Sequence, residues 1–154
     1  MKTEQSKIPI KILFADDDVD DRLIFEKAIN GILIATQLTI VNNGEELMNY
    51  LFKNYRNLPD ILFLDLSMPR KTGFECLTEM NEDEHLKNIP VVVFTTSFKR
   101  DGEFELNLAN TLINMGAKNY IPKPSDFVKL KEVLHQELVA VLEKTRSIKE
   151  LKIS

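Results

Sequence analysis

Pro59-Asp60-Ile61-Leu62-Phe63-Leu64-Asp65 is a near-continuous apolar run that stops abruptly at a carboxylate. A run this short, introduced by proline, reads as a strand buried on both faces, as in parallel sheets. The same pattern recurs on either side. Residues 8–15 are apolar and β-branched apart from Pro9 and Lys11, and end at Asp16. Pro90 introduces Val91-Val92-Val93-Phe94-Thr95, the most β-branched stretch of the chain, which ends in hydroxyls. Residues 37–41 and 118–122 supply two further short strands. Between the strands the apolar spacing turns helical. Asp18, Asp20 and Asp21 precede Leu23, Ile24, Phe25, Ala28 and Ile29, which Asn30-Gly31 would stop. The turn Asn42-Asn43-Gly44 leads into 45–53, Gly73 opens a helix carrying Phe74, Leu77 and Met80, and 103–115 is closed by Gly116. Ser125 caps a long last helix running to about residue 145. Five strands alternating with five helices predict an α/β layered fold.

The 154 residues suit one domain, placed at 8–145 with loose ends at 1–7 and 146–154, and a hydrophobic content of 44% suffices for one core. Twenty basic against 24 acidic side chains give a net charge of −4 and a pI near 5.3, which argues against nucleic-acid binding and anionic membranes. The single cysteine, Cys76, cannot form an internal disulfide. The polar start has no apolar segment behind it, and no run approaches a membrane span, so a cytoplasmic location is expected.

Parallel α/β sheets gather functional groups at the carboxyl ends of their strands, and here those ends hold Asp16-Asp17, Asp65, Thr95 and Lys123. Two unit charges about 4 Å apart repel by about 4 kcal/mol at an effective dielectric near 20, so three carboxylates need a cation. Oxygen-only ligation suits Mg²⁺, and a lysine and a hydroxyl beside it suit an incoming phosphoryl group. Asp65 could then act as the nucleophile, with metal and Lys123 neutralising charge on the transferring oxygens.

Four segments, in order and at matching strand ends, resemble the receiver domain of bacterial two-component response regulators, the CheY-like fold. They are Ile12-Leu13-Phe14-Ala15-Asp16-Asp17-Asp18, Leu64-Asp65-Leu66-Ser67-Met68-Pro69 with Gly73, Val93-Phe94-Thr95-Thr96, and Tyr120-Ile121-Pro122-Lys123-Pro124. The resemblance covers about 10–142. It implies a doubly wound, flavodoxin-like parallel sheet of order 2-1-3-4-5, and often a cis Lys123-Pro124 bond. It further implies that Asp65 takes a phosphoryl group from a histidine kinase or histidine phosphotransfer protein. Asp17, Asp65 and the Ser67 carbonyl would ligate Mg²⁺, and Asp16 would hold metal waters. Thr95 would bind the phosphoryl oxygen, Lys123 would pair with the phosphate, and Tyr120 would rotate inward as the coupled switch. The signal would leave through a downstream protein target. Two departures stand out. The Thr95 to Lys123 segment is longer than the family norm by about six residues, placed at 97–102 or the start of helix four. The last helix also runs past the usual end, as in stand-alone receivers serving phytochrome-type kinases.

Two rival readings use the same residues. Asp16-Asp17-Asp18-Val19 fits the nucleophile motif of haloacid-dehalogenase-type phosphatases, with Asp16 as nucleophile, and a receiver could also serve as a phosphorylation-independent interaction module. Asp18, Asp20 and Asp21 read as helix-capping charges, and a calcium loop fails because Asp21 stands where glycine is needed. His85 and His135 read as solvent-exposed, and Cys76 as inert. Phe127, Leu130, Val133, Leu134, Leu138, Val141 and Leu142 form a mostly core stripe whose outer end, with Val139, is apolar enough for a partner or a homodimer.

Overall fold

The computed structural model describes residues 8–96 and 102–153, with side chains for all of these but 102 and 146–153. Its elements run β1 Ile10–Ala15, α1 Val19–Asn30, β2 Thr36–Val41, α2 Gly44–Lys53, β3 Ile61–Leu64, α3 Gly73–Asn81, β4 Val91–Thr95, α4 Gly102–Asn114, β5 Asn119–Pro122 and α5 Phe127–Ile153, with a 3-10 turn at Leu86–Asn88. All strand pairs are parallel and the sheet order is β2-β1-β3-β4-β5, as expected.

The strands alternate their side chains between two cores. Ile10, Ile12, Phe14, Ile61, Phe63, Val92 and Phe94 face α1 and α5, where they meet Phe25, Ala28, Ile29, Leu130, Leu134 and Leu138. Leu13, Ala15, Leu62, Leu64, Val91 and Val93 face the other way, against Leu47, Met48, Leu51, Cys76, Leu77, Met80 and Leu112 of α2, α3 and α4. Both faces are therefore covered, which is why the strands read as continuous apolar runs rather than alternating ones. The first core is aromatic at its centre, with Phe14 and Phe25 stacked at 3.9 Å between centroids and Phe63 edge-on to Phe25 at 5.2 Å.

Local expectations needed small corrections. β1 starts at Ile10, not Ile8, because Pro9 has no N–H for the ladder, and the first bond is Ile10 N–H to the Ala35 carbonyl at 2.9 Å. The residue before α5 is Asp126 rather than Ser125, and Asp126 Oδ1 accepts from Val128 N at 3.3 Å. α5 continues to Ile153, beyond the expected end near residue 145. No peptide bond is cis among the described residues, so Lys123-Pro124 is trans, the form the X–Pro amide ordinarily favours. The expected loose end 1–7 lies outside the described residues, as do residues 97–101 of the extra length expected at 97–102 or the start of α4. No helix among the described residues is long and apolar enough to cross a membrane.

Candidate functional site

Backbone ladder bonds continue one residue beyond the strands and fix the site from below. Asp16 N–H donates to Val41 O at 3.1 Å, Asp65 N–H to Ala15 O at 3.0 Å, and Lys123 N–H to Thr95 O at 2.8 Å. Asp16, Asp65, Thr95 and Lys123 thus leave the carboxyl edge of the sheet in register. The loop after Asp65 is pulled tight, with Gly73 N–H on Leu66 O at 3.0 Å. A Cβ at Gly73 would lie 2.3 Å from the Asp65 carbonyl oxygen, so only glycine fits beneath the acid. Thr72 and Glu75 then close a reciprocal cap at the start of α3.

Asp16, Asp17 and Asp65 each bring one carboxylate oxygen within 4.8 Å of the others. Asp16 is fully buried and Asp65 6% exposed, while Asp17 is open to solvent. Asp65 Oδ1 accepts from Thr95 Oγ1 at 2.8 Å, and its side chain also accepts from the Ser67 backbone N–H. Burial nevertheless pushes the Asp65 carboxyl above the usual range, and the Asp17 charge adds to this, against the pull of Lys123, Thr95 and Ser67. Asp16 is raised too, first by burial, with Asp65 adding repulsion.

Both oxygens of Asp16 are engaged, Oδ1 by the Asp18 backbone N–H at 2.9 Å and Oδ2 by Lys123 Nζ at 2.6 Å. The same ammonium donates to Asp21 Oδ2 at 2.7 Å. Burial works against the Lys123 charge, but the bonds to Asp16 and Asp21 and the Asp65 and Asp16 charges outweigh it and hold the ammonium above the ordinary lysine range. A donor set of carboxylates at this spacing, with one solvent-facing member, fits a hard divalent cation that keeps several waters.

The structure therefore brings Asp16, Asp17, Asp65, Thr95 and Lys123 together, and places Ser67 at an exposed position beside Asp65. Tyr120 lies apart from this set of hydrogen bonds, half-buried, its hydroxyl donating to Glu105 Oε2 of α4 at 3.0 Å. Burial and the Glu105 carboxylate push the Tyr120 phenol up to about 12. Asp18 caps α1 as expected, accepting from Asp21 N at 3.0 Å. Asp21 is more than a cap, because its carboxylate reaches Lys123, a pairing across the fold that no local sequence signal announced. His85 and His135 are exposed, though His85 Nδ1 lies 2.7 Å from the Tyr55 hydroxyl, and Cys76 is buried with its thiol pushed up to about 12.

The chain matches the family model of the response regulator receiver domain over residues 12–135. Response regulator Rcp1 of Synechocystis sp. is 34% identical over 103 residues, covering 64% of this chain and 70% of that protein. The crystal structure of the Mn²⁺-bound form of Rcp1 superposes with a TM-score of 0.70 at 27% identity, over 83% of this chain and 91% of the other. That of the phosphorylated cyanobacterial phytochrome response regulator RcpA gives 0.69 at 30% identity, over 84% and 91%.

Proposed function

The chain belongs to the response regulator receiver domain family and works as a signalling protein rather than a conventional enzyme, and on that premise we propose that Asp65 is its phosphoacceptor. Family membership removes the phosphatase reading, and the burial of Asp16 with both oxygens engaged is a poor state for a nucleophile. The observation that carries the proposal is Asp65 at the centre of an acidic cluster, held by Thr95 at 2.8 Å.

One Asp65 carboxylate oxygen attacks phosphorus, forming an acyl phosphate, while the bond from phosphorus to the donor breaks and its electron pair leaves with the donor atom. For a phosphohistidine donor that atom is an imidazole nitrogen, which then takes a proton from solvent. Divalent cation binding is typical of receivers; Mg²⁺ would be the ion, held by the carboxylates of Asp17 and Asp65 and by the Ser67 carbonyl, and it would supply charge neutralisation on the phosphoryl oxygens. Asp16, whose two oxygens are already bonded to Asp18 N and Lys123, would hold water at that site rather than ligate the ion directly. Thr95 Oγ1 moves its hydrogen bond from Asp65 to a phosphoryl oxygen, and Lys123 pairs with the same group. Tyr120 then leaves Glu105 and turns inward, coupling β5 and α4 to the modification.

Receivers act with histidine kinases and downstream targets. The likeness to RcpA, a phytochrome response regulator, supports a phytochrome-type kinase, or its phosphotransfer protein, as donor. Output passes through protein contacts in the cytoplasm, without direct nucleic-acid or membrane binding, and the exposed Phe127, Val128 and Leu142 of α5 support contact with a partner or a second copy. The receiver spans 8–145, and its only catalysis is its own phosphorylation and dephosphorylation.

The decisive experiment is intact-mass spectrometry after incubation with acetyl phosphate. One labile phosphoryl adduct should form with Mg²⁺, none with chelator, and none on Asp65→Asn. An adduct of equal yield on Asp65→Asn sinks the assignment. The absence of any adduct on the parent favours a phosphorylation-independent interaction module.

A further inference from the structure

Lys123 supplies the positive charge at the phosphoryl site, yet its described hydrogen bonds go elsewhere, to Asp16 at 2.6 Å and Asp21 at 2.7 Å. These partners differ. Asp16 is fully enclosed, whereas the Asp21 side chain is 36% exposed on the first turn of α1 and can be rehydrated when released. The carboxylate of Asp21 is not used in capping, because the cap is made by Asp18 Oδ1 with the Asp21 backbone N–H as donor.

We propose that Asp21 is a positioning residue that competes with the modified Asp65 for Lys123, so that forming the Lys123–phosphoryl contact requires Lys123 to give up Asp21. The inference rests on the reading of Asp65 as phosphoacceptor and concerns what that site must break to be completed. A phosphoryl group adds a charge of about −1.5 to −2 and three acceptor oxygens, enough to draw the ammonium toward Asp65. The inner bond to Asp16 lies within the buried cluster, so the outer bond to Asp21 is the one exchanged. A partly exposed ion pair of this kind shifts an equilibrium by no more than about fivefold. Asp21 is therefore a modest brake on the phosphorylated state.

The test is a titration of the full chain, saturated with Mg²⁺, with beryllofluoride as phosphoryl mimic, following the amide resonances of Leu66 and Ser67 by NMR. Asp21→Asn should bind beryllofluoride about two- to fivefold more tightly than the parent. Asp20→Asn makes the same charge change on the same exposed turn without a Lys123 contact, and should stay within about 1.5-fold of the parent. Asp21→Glu, which keeps the carboxylate, should return toward the parent value. Mg²⁺ affinity should be alike in Asp21→Asn and Asp20→Asn, because neither residue ligates the metal.

Equal beryllofluoride affinities for Asp21→Asn and Asp20→Asn would overturn the proposal, since the effect would then be net charge alone. Weaker binding by Asp21→Asn would also overturn it, because Asp21 would be assisting rather than competing. A difference in Mg²⁺ affinity as large as that for beryllofluoride would overturn it too, by showing that Asp21 acts through the metal. If the parent takes up no beryllofluoride, the phosphoacceptor reading itself fails; uptake by the parent without a gain in Asp21→Asn removes only the role of Asp21.

Discussion

Asp65→Asn should raise the stability of the metal-free protein. Asp65 is 6% exposed, and its oxygen lies within 4.8 Å of oxygens of Asp16 and Asp17. At 4.8 Å, unit charges repel by about 3.5 kcal/mol at an effective dielectric near 20. Solvent around Asp17 screens one of these repulsions, and Lys123 offsets part of the other, leaving about 1–2 kcal/mol to be gained. Asparagine keeps an oxygen for the Thr95 hydroxyl, so that bond need not be lost. For a protein of this size, each kcal/mol moves Tm by about 2–4 °C. The assay is urea and thermal unfolding in chelator and then in Mg²⁺. The parent should gain about 1.4 kcal/mol when free Mg²⁺ is ten times Kd, and Asp65→Asn should gain much less. The pH dependence has a definite sign. The folded Asp65 carboxyl titrates above its unfolded range, so the native state binds that proton more tightly, and the cost of ionising it grows as pH rises through that window. The advantage of Asp65→Asn should therefore vanish as pH falls toward about 4. A variant less stable than the parent in chelator at neutral pH, or one with an equal Mg²⁺ increment, would refute the reasoning. Asp16→Asn should not match it, because Asp16 is the buried carboxylate paired with Lys123, and its loss leaves that ammonium with only the partly exposed Asp21 as a hydrogen-bonded counter-charge.

Asp17→Asn should weaken Mg²⁺ at least about tenfold and Asp16→Asn by a smaller factor, measured by calorimetry; equal dissociation constants would contradict the assignment of Asp17 as ligand. Thr95→Ala removes a buried donor to a carboxylate and should destabilise by about 1.5–3 kcal/mol. It should still accept phosphoryl from acetyl phosphate, while amide shifts across Glu103 to Tyr120 on phosphorylation shrink; unchanged shifts would show that Thr95 is not the coupling residue. Cys76, fully buried with its thiol raised to about 12, should be unreactive to a thiol reagent at pH 8 until the protein unfolds. Labelling of the native protein at the rate of a free thiol would contradict the packing of α3.

The fold was legible in the chain because its signals are local. Ile61-Leu62-Phe63-Leu64 and Val91-Val92-Val93-Phe94 can only be strands covered on both faces, and the helical spacings between them supply the cover. Asp16, Asp65, Thr95 and Lys123 were legible for the same reason, since each ends a strand and strand ends share one edge. Where an element stops was less legible. Asp126 and Ser125 are equally good caps by type, and α5 passes residue 145 without a glycine or proline to halt it.

What the sequence determined by itself is which chemical groups meet at the carboxyl edge of the sheet. What only the tertiary structure decided is how they pair. Lys123 chooses Asp16 and Asp21, which lie 107 and 102 residues away along the chain, and Tyr120 chooses Glu105. No periodicity encodes such choices. A charged or hydroxyl side chain settles on the partner that best balances Coulomb attraction against desolvation in a particular local geometry, and that geometry exists only once the sheet, α1 and α4 have packed around it.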